Sequence, residues 1–113
     1  MSLKLIRGTR DIFGEENNHF NYIIELSRKI SKRYMYEEIN TPIVEFTEVY
    51  ERTLGELSDV VSKEMYTFKD RSGNSLTLRP EGTAGIARAY VTGKLKDKLP
   101  IRFFYQGPMF RYE

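Results

Sequence analysis

Between Tyr66 and Thr83 two alternating stretches, a cluster of turn formers and a proline follow one another, and that order leaves little choice of local fold. Tyr66 and Phe68 alternate with polar residues, as do Leu76 and Leu78, and a period of two is that of a strand with one covered face. Asp70-Arg71-Ser72-Gly73-Asn74 lies between them, so the segment predicts a β-hairpin. Pro80 cannot donate to a sheet ladder, which stops the second strand there. A helix is predicted next, from about Thr83 to Val91, with Ile86, Tyr90 and Val91 on its apolar side.

The remainder fits around this unit. Phe20, Ile23, Ile24, Ser27, Ile30 and Tyr34 recur at three- and four-residue spacing and predict an amphipathic helix reaching about Tyr36. Glu15 and Glu16 suit its positive end. The run from Glu38 to Phe46 is extended but broken by Pro42, so its strand should be short, bulged or at an edge. Thr47 can cap a short helix from Glu48 to Leu54, which Gly55 can end. Two strand segments, Ile101 to Tyr105 and Met109 to Glu113, are expected around the bend Gln106-Gly107-Pro108. This order predicts an α+β fold, a largely antiparallel sheet flanked by helices, in a single domain over residues 1–113. No second domain is expected.

Composition removes several functions. There is no cysteine, hence no disulfide framework, thiolate metal site or thiol nucleophile, and His19 is the single histidine. A metal site within this chain is not expected. The formal net charge of +2 is too small to argue for nucleic acid by itself. No apolar run reaches the ~20 residues that span a bilayer, so a cytoplasmic protein is expected. The Tyr and Phe rings fall mostly on apolar faces and read as core rather than as stacking platforms for bases.

Three places can carry chemistry. Glu81 and Thr83 put a carboxylate and a hydroxyl beside a helix N-terminus, with Gly82 permitting close backbone approach. On the residues alone, a capped helix with a surface acid is the simpler reading. Arg111 and Glu113 share one strand face with Met109, and a guanidinium there can fork onto a carboxylate or a phosphate. A solvated strand face is the commoner use of such a pair. Arg7 and Arg10 form the third place, where solvated loop arginines are the plainer reading. His19 reads as a surface residue and Lys94-Leu95-Lys96-Asp97-Lys98 as a solvated loop.

In order and spacing, four blocks resemble one family. Arg7-Gly8-Thr9-Arg10-Asp11 resembles the opening signature of histidyl-tRNA synthetases, and Thr41-Pro42-Ile43-Val44-Glu45 through Gly55 looks like motif 1 of class II aminoacyl-tRNA synthetases. Lys63 to Phe68, then Leu76 to Ala84, is similar to the histidyl-specific segment between motifs, and Gly107 to Glu113 resembles the first strand of motif 2. Gly14 stands where many members carry proline, a departure confined to the opening turn.

The resemblance implies the class II catalytic fold and a ligase that joins histidine to ATP and passes the histidyl group to tRNA(His). Glu81 and Thr83 would hold the α-amino group of histidine. Arg111 would be the catalytic residue, bridging the histidine carboxylate and the α-phosphate, and Glu113 would face ATP. Mg²⁺ would arrive with ATP as part of the substrate. Pro42 and the long helix before it would meet a second subunit in a homodimer. The motif 2 loop, motif 3 and an anticodon-binding domain are expected beyond residue 113, so the 113 residues alone are expected to be inactive. Two other members of the fold class compete: the regulatory paralogue of ATP phosphoribosyltransferase in histidine biosynthesis, and a pseudo-synthetase module that senses tRNA. Intact Glu81-Gly82-Thr83-Ala84 and Phe110-Arg111-Tyr112-Glu113 favour the enzyme over the paralogue.

Overall fold

The computed structural model describes residues 2–54 and 64–112. In chain order the elements are α1 (Gly14–Arg33), β1 (Glu37–Glu38), β2 (Val44–Phe46), α2 (Thr47–Leu54), β3 (Thr67–Lys69), β4 (Ser75–Leu78), α3 (Thr83–Thr92), a 3-10 turn (Leu95–Lys98) and β5 (Phe103–Phe104). The hairpin is present, with Phe68 opposite Leu76 in an antiparallel β3–β4 pair. Asp70 builds its turn: its Oδ1 accepts the Ser72 and Asn74 N–H groups at 2.9 and 2.8 Å, while Gly73 takes φ 87°. These bonds hold the Asp70 carboxyl below the usual aspartate range, the Asn74 backbone N–H first among them.

Strand β4 is central. Its other edge pairs antiparallel with β2, Val44 opposite Leu78 and Phe46 opposite Leu76, giving the order β2-β4-β3. Exposed Pro42 precedes β2, which is therefore a short edge strand. A second sheet has two strands, β1 and β5, and they run parallel.

The described core is small: Tyr50, Met65 and Ala84, with Val49 packed against them. Beside it lies a polar interior. Thr77 is fully buried, and the Thr47 hydroxyl lies 2.7 Å from Ser75 Oγ and 2.9 Å from Thr77 Oγ1. Burial raises the Tyr50 phenol to about 12, and Glu45 and Glu81 add to that rise. Arg88 grips the buried Glu45 carboxylate through Nε and Nη2, the latter 3.0 Å from Oε2, tying α3 to β2.

Several expectations need correction. The first helix ends at Arg33, short of Tyr36, because Met35 turns to φ 64°. Gly14 begins it at φ 65°, a value closed to proline. Residues 109–112 are extended without forming a regular strand. Phe110 N–H donates to Arg79 O and Tyr112 N–H to Glu64 O, with no reciprocal bonds among the described residues. Leu95–Lys98 is a 3-10 turn rather than a loop. Most rings are not core: Phe20, Tyr22, Tyr34, Phe46 and Tyr112 are exposed, as is Val91 on α3. The accessible surface explains this. At 9564 Å² it exceeds the value near 6,400 Å² of a compact monomer of this mass. The helix end at Gly55 lies outside the described residues.

Candidate active site

The β4–α3 corner follows from local sequence. Arg79 N–H gives the last bond of β4 to Ile43 O at 2.9 Å, and Pro80 then ends the ladder. Two residues on, Glu81 folds back over the start of α3. Its Oε2 accepts the Thr83 N–H at 2.6 Å and its Oε1 the Ala84 N–H at 3.0 Å, so one carboxylate satisfies two orphan donors. The cap foreseen as the plainer use of Glu81 is therefore present. It leaves each oxygen a second lone pair.

Opposite this corner the chain returns through Tyr105 to Arg111. The Tyr105 ring lies against Gly82, so closely that a Cβ on residue 82 would sit 2.2 Å from ring atom Cε2. Its hydroxyl is 3.2 Å from Thr83 Oγ1. Arg111 Nε donates to Pro80 O at 3.3 Å, which leaves the two terminal nitrogens of the guanidinium for other partners. Glu81, Gly82, Tyr105, Met109, Arg111 and Arg7 line one cleft of about 620 Å³, within the usual range of ligand sites. Two guanidinium groups and one carboxylate thus face a common space. A smaller groove of about 290 Å³ between α2 and α3 is lined by Ala84, Ala87, Val91 and Arg88, and that arginine is already engaged by Glu45.

Of the residues singled out from sequence, Glu81 and Arg111 share the cleft. Thr83 stands at its side, joined to it through Tyr105. Glu113 lies outside the described residues, and Pro42 is exposed between β1 and β2. Arg10 pairs with Glu16 at 2.5 Å on the surface. Arg7, read as a solvated loop residue, lines the cleft, and Tyr105 was not foreseen. An aromatic following Phe103-Phe104 gives no signal beyond strand propensity, since only the fold brings it over Gly82.

The fold is that of the catalytic domain of class II aminoacyl-tRNA synthetases, an antiparallel sheet with helices. A family profile described as histidyl-tRNA synthetase matches residues 8–113. The chain belongs to the histidyl-tRNA synthetase family. It is 54% identical over 112 residues to the histidine–tRNA ligase of Rhodospirillum rubrum, which covers 99% of this chain and 27% of that protein. The apo histidyl-tRNA synthetase of S. aureus superimposes with a TM-score of 0.83 at 40% identity, over 97% of this chain and 30% of that one. A Bacillus halodurans protein described as ATP phosphoribosyltransferase regulatory subunit/histidyl-tRNA synthetase gives 0.81 at 29% identity, over 99% and 28%. The chain therefore spans about a quarter of the length of the curated relatives it matches.

Proposed function

We propose that this chain supplies the amino-acid-activating part of a cytoplasmic, homodimeric histidine–tRNA ligase. The observation that carries the reading is the cleft shared by Glu81 and Arg111. A free amino acid brings an ammonium and a carboxylate, and each needs an opposite charge when water is excluded. Glu81 meets the ammonium, helped by the Thr83 hydroxyl. Arg111 meets the carboxylate and draws the α-phosphate of ATP beside it. The histidine carboxylate oxygen then bonds to that phosphorus as the bond to the bridging oxygen breaks, and pyrophosphate leaves. Holding the attacking oxygen ~3–3.5 Å from phosphorus supplies proximity, and the guanidinium offsets the charge gathering on the phosphoryl oxygens. No general base is needed, because a carboxylate is already ionised at neutral pH.

Mg²⁺ would enter on the ATP phosphates as part of the substrate. Glu113 facing ATP belongs to the same proposal, as does transfer to tRNA(His). Exposed Pro42 and the uncovered apolar residues of α1 support a second subunit there.

The test is ATP–pyrophosphate exchange by the full-length protein. Exchange that requires histidine is the expected result. A folded protein that binds ATP phosphoribosyltransferase without any histidine-dependent exchange would point to the regulatory paralogue instead. The higher identities to histidine–tRNA ligases favour the enzyme.

A further inference from the structure

We propose that Arg79 is a positioning residue of this cleft, fixing the Arg111 guanidinium relative to Glu81 by tying residues 41–43 to residues 108–110; the inference rests on the function proposed above. Arg79 is only 8% exposed, yet its guanidinium is held by main-chain carbonyls. Nε donates to Pro108 O at 2.9 Å and Nη1 to Thr41 O at 3.2 Å. Its backbone makes a parallel pair of links: the N–H donates to Ile43 O and the carbonyl accepts the Phe110 N–H, both at 2.9 Å. One residue thus forms four bonds to two segments remote in sequence.

Gly107 shows how close this fit is. Its φ is 155°, and a Cβ there would lie 2.3 Å from Arg79 Nη2, so glycine is what lets the turn close over the guanidinium. The consequence for the cleft is direct. Arg79 immediately precedes Pro80, whose carbonyl accepts from Arg111 Nε, and Pro80 immediately precedes Glu81. Moving the 107–108 turn moves Arg111 along the cleft while the cap keeps Glu81 on α3. Burying a guanidinium against carbonyl dipoles costs desolvation that an aliphatic side chain would avoid. Packing alone does not call for an arginine here, whereas a fixed fork that holds two backbone segments in register does.

The test uses the full-length protein with Arg79→Met, Arg79→Lys and Gly107→Ala, and histidine-dependent pyrophosphate exchange measured per folded molecule. Folding is followed by circular dichroism and the Tm. A misplacement of about 1 Å corresponds to roughly a hundredfold in rate, so Arg79→Met is expected to lower kcat by about 10- to 100-fold. Arg79→Lys should restore part of it, and the Gly107→Ala loss should not add to the Arg79→Met loss, since both act on one contact. Arg79→Met with a lowered Tm but a kcat within about twofold of wild type would mean a purely structural strut and overturn the inference. Should Arg79→Met not fold, Arg79→Lys decides in the same way: an unchanged kcat overturns the inference and a lowered kcat upholds it. A wild-type protein that shows no histidine-dependent exchange would overturn the proposed function itself, and this inference with it.

Discussion

Helix α1 and the β4–α3 corner are both rich in charge and apolar residues, but they are held in opposite ways. Over its 20 residues α1 buries no side chain, and Phe20, Ile23, Leu26 and Ile30 remain exposed. Acidic residues in its first turn, basic ones in its last and good local propensity account for it. At the corner every step from Arg79 to Ala84 is tied by a hydrogen bond, Gly82 through its carbonyl, which accepts the Ile86 N–H, and Gly82 is also packed under the Tyr105 ring. Geometry is fixed by contacts within the chain at the corner, whereas the apolar residues of α1 are left exposed by it.

The sharpest contrast is functional. Arg111→Ala in the full-length protein should lower kcat for histidine-dependent exchange by about 10²- to 10³-fold with little change in Tm. A loss below about tenfold would break the link between corner and chemistry. Next come two ion pairs, one in each region. Arg88–Glu45 at the corner is mostly buried, so Glu45→Ala, which strands the guanidinium, should cost about 3 kcal/mol in urea denaturation. Arg28–Glu38 beside α1 is largely exposed, and Glu38→Ala should cost less than about 1 kcal/mol. Equal costs would erase the distinction.

Tyr50 sharpens it further through pH. Its folded value, about 12, lies above the ordinary phenol value of 10.0, so the folded state holds the proton more tightly. The stability this contributes is complete below pH 10 and is lost as pH rises through about 12, on the order of 2–3 kcal/mol. A Tyr50→Phe protein should lack this group's share of that decline in melts over the same range. The smallest effect belongs to α1. Ile23→Ser should change the stability of the 113-residue chain by no more than about 0.5 kcal/mol, and a cost above ~1 kcal/mol would mean that α1 is covered within the chain.

Much of this was legible in the residues. Asp70 to Asn74 encode their turn locally, and Pro80 and Thr83 mark the strand end and the helix start within a residue or two. Glu81 and Arg111 stood out by charge type and by their place on elements. Local signals could not show that Arg7 and Tyr105 reach the same cleft, because that depends on contacts remote in sequence, roughly a hundred residues for Arg7 with Arg111 and about twenty for Tyr105 with Gly82. Nor could periodicity show that the apolar residues of α1 would stay uncovered, since it reports a face and not what meets that face. The buried Thr47 and Thr77 hydroxyls, 2.9 Å apart, were equally hidden, for threonine suits an exposed strand as well as a hydrogen-bonded interior.

The pairing of Glu81 with an ammonium is tested most directly by equilibrium binding of histidine and of its des-amino analogue to full-length wild-type and Glu81→Gln proteins. Wild type is expected to favour histidine by about tenfold or more, and Glu81→Gln to remove most of this preference. An undiminished preference in Glu81→Gln would contradict that pairing.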